Sequence, residues 1–298
     1  MESLLLDKID QPSDLKKLNA QQVEKLCAEI RHFLLENISK TGGHLASNLG
    51  TVELTVALHR VLETPKDKIV FDVGHQCYTH KILTSRREQF SSLRQYGGLS
   101  GFPKPRESGH DAFIAGHASN SVSVALGMAR ARTLQHQDYS VLALIGDGAS
   151  PALLAYEGLN NAGASGEPLI VILNDNGMSI QKKCGRSDQP AGQTSPSSHL
   201  LSFKKAYRRV TEKIPGGRRS TALTTGIKKA IKGNLLPSSF FEDMGFTYIG
   251  PVDGHDVLGL ITTLKNMHDL KGPQFLHIMT KKVVVMNRQK KIQSPSTP

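Results

Sequence analysis

The sequence predicts an α/β fold in which a parallel β-sheet is covered by helices on both faces. Two apolar runs indicate this, residues 141–145 and 169–173, because neither contains a polar side chain. Continuous apolar runs of this length are typical of strands that are buried on both faces of a parallel sheet. Residues 152–162 lie between the runs and have helical character, so the three segments form a strand–helix–strand crossover.

The other elements are predicted from the spacing of apolar side chains. Helices are expected over residues 20–40 and 51–63, and one side of the second is lined by Leu54, Leu58, Val61 and Leu62. Short strands are expected at residues 69–71, 246–249 and 274–280. Asp256 is a suitable cap for a helix over residues 257–268, and Pro151 fits the first turn of the helix over 152–162.

The chain of 298 residues is long enough to bury a large core, and we assign one domain to residues 1–282. Within it, residues 181–200 are rich in Ser, Gly, Gln and Pro, and residues 204–232 carry ten basic residues and one acidic residue. We therefore expect a mobile basic insertion over 181–233. Residues 283–298 are expected to form an unstructured tail.

The net charge of +11 raises nucleic-acid binding as an alternative function, based on residues 204–232. Only Phe203 and Tyr207 could stack on bases there, and no known nucleic-acid-binding pattern appears, so solvated basic helices are favoured. No apolar run is long enough to span a membrane, and the first residues do not resemble a secretory signal. Three widely spaced cysteines, Cys27, Cys77 and Cys184, indicate reduced thiols and a cytoplasmic location.

Two polar motifs directly follow the two apolar strands. Gly146-Asp147-Gly148 follows the strand over 141–145, and Asn174-Asp175-Asn176 follows the strand over 169–173. In a parallel crossover both motifs lie at the carboxyl ends of their strands, where α/β sheets bind ligands. Asp147 and Asn176 can then offer a carboxylate and an amide oxygen to Mg²⁺, and the glycines allow a diphosphate to approach the backbone. Either motif alone is more often an ordinary turn, whereas the pair is specific.

Further segments resemble the 1-deoxy-D-xylulose 5-phosphate synthase family, a group of thiamine-diphosphate enzymes related to transketolase. The resemblance covers nearly the whole chain to Lys282. Its motifs are Thr41-Gly42-Gly43-His44-Leu45-Ala46-Ser47-Asn48-Leu49-Gly50, Asp72-Val73-Gly74-His75-Gln76, Gly97-Gly98-Leu99, Asn174-Asp175-Asn176-Gly177-Met178-Ser179-Ile180 and Gly250-Pro251-Val252-Asp253-Gly254-His255-Asp256.

The resemblance implies a diphosphate-binding domain that holds thiamine diphosphate and Mg²⁺. It implies Mg²⁺ ligation by Asp147, Asn176 and the Met178 carbonyl, and a catalytic region lined by His44 and His75. It also implies cofactor contacts from His75, His117, Ser119, Gly148, Ala149, Asn176 and Lys282. The implied reaction joins pyruvate and glyceraldehyde 3-phosphate to give 1-deoxy-D-xylulose 5-phosphate and CO₂, for isoprenoid and thiamine synthesis.

The placement of histidines supports a cleft independently of the resemblance. Five of the 12 histidines follow a glycine, against about one expected from 27 glycines in 298 residues: His44, His75, His110, His117 and His255. A glycine lets the chain bend sharply and present an imidazole into a cleft. Zinc is less favoured than Mg²⁺, because the sequence has neither a Cys-x-x-Cys motif nor a helical histidine pair beside an acid.

The chain departs from the family near the site and at its end. Ser150, Pro151 and Ala152 stand where the family has Thr and small residues, and Gly177 replaces a glutamate; a proline removes an amide donor near the diphosphate. The family continues into pyrimidine-binding and C-terminal domains, which we expect to be absent here. Activity would then require a homodimer or a subunit that supplies the pyrimidine-binding domain. The alternative is a remnant or regulatory partner that binds the cofactor without turnover.

Overall fold

The computed structural model describes residues 4–149, 153–176 and 237–281. The chain divides into two compact units, residues 1–181 with 241–298 and residues 182–240, and the elements that position the site belong to the first. The predicted basic insertion over 181–233, the tail over 283–298 and the predicted helix start at Pro151 lie outside the described residues.

Five parallel strands form one sheet in the order β1-β2-β3-β5-β4. The strands are β1 (Lys68–Phe71), β2 (Val141–Gly146), β3 (Ile170–Asp175), β4 (Thr247–Asp253) and β5 (Gln274–Met279). Each corresponds to a strand that the sequence predicts, although β3 and β4 extend further toward their carboxyl ends. The predicted parallel α/β sheet is therefore confirmed.

The α-helices of the described residues precede, connect and follow these strands. In chain order they are α1 (Pro12–Leu15), α2 (Ala20–Thr41), α3 (Leu45–Leu49), α4 (Val52–Val61), α5 (Tyr78–Lys81), α6 (Ser121–Leu134), α7 (Leu153–Ser165), α8 (Pro237–Asp243) and α9 (Val257–His268). A π-helical segment spans Ile82–Arg86, and 3₁₀ helices span Leu5–Lys8 and Arg87–Ser92. The predicted cap of α9 is present, since the Asp256 side chain accepts a hydrogen bond from the Gly259 N–H.

Two apolar cores cover the two faces of the sheet. Along β2, Leu142 and Leu144 point into the core formed with α2, α4 and α9. Their neighbours Val141, Ala143 and Ile145 point into the core formed with α6 and α7. This alternation follows from the two-residue period of a strand. Helices therefore cover both faces, as predicted.

Two of the longer helices, α4 and α6, differ from the sequence expectation, and the short helices α1, α3, α5 and α8 were not predicted. Burial of α4 extends beyond the predicted apolar positions, because Thr55, Val56 and His59 are fully buried alongside Leu54 and Leu58. The helix lies between the sheet-facing core and the N-terminal helices, so it is enclosed on all sides. Helix α6 was not predicted. It buries mostly small side chains, whose hydrophobic contrast along the sequence is weak.

Candidate functional site

A cleft of about 260 Å³ opens at the carboxyl ends of the central strands. This is the edge at which parallel sheets bind ligands. Its walls come from α3, from the segments that follow β1, β2, β3 and β5, and from the loop before α6. The lining residues are Ala46, Ser47, Gly50, Asp72, Val73, His75, Gln76, Ala118, Gly146, Asp147, Gly148, Ala149, Asn174, Asn176 and Thr280.

Asp147 and Asn176 meet in this cleft, as the sequence predicts. The Asn176 side-chain N–H donates to Asp147 Oδ1 over 2.9 Å. The same carboxylate oxygen accepts the backbone N–H of Gly148 at 2.9 Å. The two side chains meet because β2 and β3 are parallel neighbours, with Gly146 paired to Asn174. An oxygen-rich pair therefore lies at the ends of two adjacent strands.

Asn174 and Thr280 support the Asp147–Asn176 pair through hydrogen bonds, and neither was predicted as a site residue from the sequence. The Thr280 hydroxyl donates to Asn174 Oδ1 over 2.8 Å, and the Asp147 N–H donates to the Asn174 carbonyl over 3.2 Å. The signal for Asn174 was present, since it directly follows the apolar run. Thr280 could be found only from the sheet order, which sets β5 beside β3.

His44 and His75 also lie together, with ring centroids 5.2 Å apart in an edge-to-face arrangement. The fully buried Asn48 ties them to each other. Its amide group donates to the carbonyls of His44 and His75, both at 2.8 Å, and accepts the Tyr78 N–H at 2.8 Å. Asn48 was not predicted as a site residue, although it lies within one of the motifs.

The segment that follows β1 has an unusual backbone beside the cleft. Val73 has φ 57° and Gly74 φ 82°. A positive φ is an outlier for a β-branched residue, and such strain is concentrated at functional sites. Gly74 is also required by packing, because an added Cβ would lie 2.5 Å from Pro103 and 2.7 Å from Ala115. This conformation turns His75 toward the cleft.

Asp72 connects β1 to the loop before α6. Its carboxylate accepts the Ser119 N–H at 2.6 and 2.9 Å, and the Ser119 hydroxyl donates to the Ala149 carbonyl at 3.0 Å. Burial raises the pKa of Asp72, whereas hydrogen bonds from backbone N–H groups of residues 119–121 oppose the rise. Ser119 and Ala149, both predicted as cofactor contacts, are thus in direct contact.

The other predicted residues have different positions. His117 is exposed, and its carbonyl accepts the Val73 N–H at 3.1 Å. Met178 and Lys282 lie outside the described residues. Two glycine-preceded histidines are held away from the cleft. His110 Nδ1 contacts the Thr64 hydroxyl at 2.9 Å, and His255 accepts the Lys281 N–H at 3.0 Å.

The described residues contain neither a cluster of metal-binding side chains nor a membrane-spanning helix. Over residues 4–149, 153–176 and 237–281, no three His, Cys, Asp or Glu side chains are grouped so that they could hold a metal ion. A metal in the cleft would therefore need donors of other kinds, such as amide or backbone oxygens. In the same ranges, no helix has the length and apolar character that a membrane crossing requires.

Comparison with protein families gives one match over nearly the whole chain. The family model for 1-deoxy-D-xylulose-5-phosphate synthase matches residues 6–280. The 1-deoxy-D-xylulose-5-phosphate synthase of Syntrophomonas wolfei is 50% identical over 279 residues, which are 93% of this chain and 44% of that protein. That of Lachnoclostridium phytofermentans is 48% identical over 281 residues, 93% of this chain and 45% of that protein. The chain thus spans less than half the length of these relatives.

Solved structures show the same fold at low sequence identity. Transketolase from Campylobacter jejuni superposes with a TM-score of 0.62 and 19% identity, covering 88% of this chain and 38% of that one. Transketolase from Leishmania mexicana gives a TM-score of 0.60 and 18% identity, covering 87% of this chain and 36% of that one.

Proposed function

We propose that this chain, which belongs to the 1-deoxy-D-xylulose-5-phosphate synthase family, binds thiamine diphosphate and Mg²⁺ in the cleft at the ends of β1, β2 and β3. The observation that carries the proposal is the contact between Asp147 and Asn176, 2.9 Å apart at the ends of adjacent parallel strands. Family membership supports the choice of cofactor, and the contact supports this position for its metal.

The donors in the cleft fit a Mg²⁺–diphosphate group. Mg²⁺ takes a few oxygen ligands from protein and the remainder from phosphate and water. Asp147 offers a carboxylate oxygen. Rotation of the Asn176 side-chain amide by half a turn exchanges the positions of its nitrogen and its oxygen, so that the oxygen is also offered to the metal. Gly146 and Gly148 leave room for a phosphate, since an added Cβ at either would meet no atom of the described residues within 4 Å.

When bound, the cofactor supplies the carbanion chemistry that decarboxylates a 2-oxo acid. We assign metal ligation to Asp147, Asn176 and Met178, and diphosphate or ring contacts to His75, His117, Ser119, Gly148, Ala149, Asn176 and Lys282. His44 and His75 are assigned to the reacting carbons, where imidazoles can donate and accept protons. The 2.8 Å bonds from Asn48 to both histidine carbonyls support a fixed position for this pair.

Calorimetric titration with thiamine diphosphate and Mg²⁺ tests the binding site. We expect saturable heat for the wild-type chain and affinity at least about tenfold weaker for Asp147→Ala. Asp138→Ala is the matched control, because Asp138 is an exposed aspartate that precedes the same strand at its other end. Equal binding by the wild-type chain and Asp147→Ala would refute the site.

The activity of the relatives is proposed for the protein to which these residues belong. The substrates would be pyruvate and glyceraldehyde 3-phosphate, the products 1-deoxy-D-xylulose 5-phosphate and CO₂, and the pathway isoprenoid and thiamine synthesis. The active form would be a homodimer or a pair with a pyrimidine-binding subunit, in a cytoplasm that keeps Cys27 and Cys77 as free thiols. Release of CO₂ from pyruvate, measured with and without a candidate second subunit, separates an enzyme from a chain that binds the cofactor without turnover.

A further inference from the structure

A chain of hydrogen bonds crosses three strands behind the cleft. The Tyr248 hydroxyl on β4 contacts His277 Nδ1 on β5 at 2.8 Å, and His277 Nε2 contacts Asp175 Oδ2 on β3 at 3.2 Å. The register pairs Leu173 with His277, so Asp175 projects from the same face of the sheet two residues further on. Asp175 and His277 are only 7% and 8% exposed, so these contacts are protected from water.

The donor and acceptor properties of the three side chains determine which group donates in each of these hydrogen bonds. A carboxylate only accepts hydrogen bonds, so His277 Nε2 carries the proton that is shared with Asp175. In the neutral imidazole, Nδ1 is then an acceptor, and the Tyr248 hydroxyl donates to it. Burial raises the pKa of Tyr248, with the Asp175 charge adding to the rise, so the phenol keeps its proton.

Asp175 immediately precedes Asn176, and the same segment is held from the opposite face of the sheet. There the Thr280 hydroxyl donates to Asn174 Oδ1 at 2.8 Å, while in the plane of the sheet the Thr280 N–H donates to the Asp175 carbonyl at 2.8 Å. The residues directly before Asn176 are thus fixed on both faces. Neither Tyr248 nor His277 lines the cleft itself.

We propose that Tyr248 and His277 are positioning residues for Asn176, acting through the side chain of Asp175. This inference rests on the proposed function, in which Asn176 ligates Mg²⁺. Groups that orient metal ligands without touching the metal typically change metal affinity by about 10- to 100-fold when they are removed. The Tyr–His–Asp chain would have this role, because it limits how far the 174–176 segment can move relative to Asp147.

Tyr248→Phe and His277→Leu test the proposal, with Phe246→Leu as the matched control. Tyr248→Phe removes one hydroxyl and retains the ring that stacks with Phe241 and Phe275. Phe246 is buried in the same core at the start of β4, so its truncation lowers stability without touching the hydrogen-bond chain. With thiamine diphosphate saturating, we expect Mg²⁺ affinity to fall about tenfold in Tyr248→Phe and His277→Leu, and to be unchanged in Phe246→Leu.

A double-mutant cycle separates positioning from a general loss of structure. In an Asn176→Ala background, His277→Leu should have no further effect on Mg²⁺ affinity, because the ligand that it positions is gone. The proposal is overturned if Mg²⁺ affinity is unchanged in both Tyr248→Phe and His277→Leu, or if His277→Leu retains its full effect in the Asn176→Ala background. It is also overturned if Phe246→Leu causes the same loss of Mg²⁺ affinity.

A metal-free measurement keeps this inference distinct from the proposed function. If the wild-type chain binds no Mg²⁺, the proposed function fails, and the ¹H–¹⁵N signal of the Asn176 side-chain amide becomes the readout. That amide donates to Asp147 in the metal-free protein. Tyr248→Phe and His277→Leu should shift or broaden the signal of this amide, and Phe246→Leu should not. A signal that is unchanged in both Tyr248→Phe and His277→Leu overturns the inference.

Discussion

We expect the protein to lose stability in mild acid because of a buried histidine pair in the N-terminal half of the chain. His59 and His80 are fully buried, and His59 Nε2 lies 2.8 Å from His80 Nδ1. His80 Nε2 lies 2.8 Å from Asp111, whose carboxylate also accepts two hydrogen bonds from Arg86 at 2.7 and 2.9 Å. Only one proton fits between the two imidazoles, so at most one of them can be charged, and the lowered pKa values of both keep the folded pair neutral at pH 7.

The pKa values set the pH range of the effect. Burial lowers the pKa of His80 from 6.5 to about 4, against the opposing effect of Asp111, and burial with the neighbouring His80 lowers the pKa of His59 well below 6.5. When a folded imidazole has a lowered pKa, the unfolded chain binds the extra proton. Stability is then fully present above the unfolded pKa and is lost as the pH falls toward the folded pKa.

The size of the loss follows from these values. Between pH 7 and pH 5 a histidine of the unfolded chain takes up most of a proton while the folded His80 remains neutral, which lowers the free energy of unfolding by about 2 kcal/mol. The pKa of His59 is lowered in the same direction, so protonation of this residue in the unfolded chain adds to the loss. Asp111 does not offset this loss. Burial by itself would raise its pKa, but the hydrogen bonds from His80 and Arg86 lower it overall, out of this pH range.

Urea unfolding followed by circular dichroism at pH 7 and pH 5 measures the effect. His80→Gln keeps an N–H group for Asp111 but cannot titrate, so its loss between the two pH values should be about 2 kcal/mol smaller than that of the wild-type chain. Val56→Ala is the matched control, because Val56 is fully buried in the same helix as His59 and carries no titratable group. It should lower stability equally at both pH values. Equal pH dependence in the wild-type chain and His80→Gln would refute the reasoning.

Two further predictions concern packing and thiol chemistry. Gly163→Ala would place a Cβ 1.9 Å from the Met244 carbonyl oxygen and should destabilise the fold by about 2 kcal/mol or more. Gly127 lies on the exposed side of α6, and an added Cβ there meets no atom of the described residues within 4 Å. Gly127→Ala should therefore stabilise the fold by about 0.5–1 kcal/mol. Thermal denaturation of both variants checks this, and a Gly163→Ala protein at least as stable as the wild type would contradict it. Burial raises the pKa of Cys77 to about 12 and also raises that of Cys27, so neither thiol should react with a maleimide until urea unfolds the chain. Peptide mapping that finds either residue labelled in the native protein would contradict this.

The sheet was predictable because its signals are local. Strands β1, β2 and β3 contain short apolar runs, and the residue that directly follows each run is polar or glycine, so both the strand and its carboxyl end are visible in the sequence. Helix α6 was missed for the opposite reason, since Ser121, Ala125 and Ala129 on its buried face contrast little with the rest of the helix. For α4, spacing revealed the apolar positions but not that Thr55 and His59 would be buried as well.

The Asp147–Asn176 pair was predictable because strand ends and parallel pairing together determine it. The groups that support the site depend on contacts that are distant in the sequence: Asn48 reaches a carbonyl 27 residues away, and Thr280 reaches Asn174 across 106 residues. No local pattern carries such information. It becomes available only once the order of the strands is known.

The glycine–histidine pairs show where a local pattern stops being informative. A preceding glycine allows a sharp bend, and it brings His75 to the cleft beside His44. The same pattern sends His110 to Thr64 and His255 to the backbone of Lys281. The bend is encoded locally, but the destination of the imidazole depends on which strand or helix lies next to the turn. The catalytic roles proposed for His44 and His75 are therefore supported less by the pattern than by Asn48, whose hydrogen bonds to both backbone carbonyls hold the two histidines together.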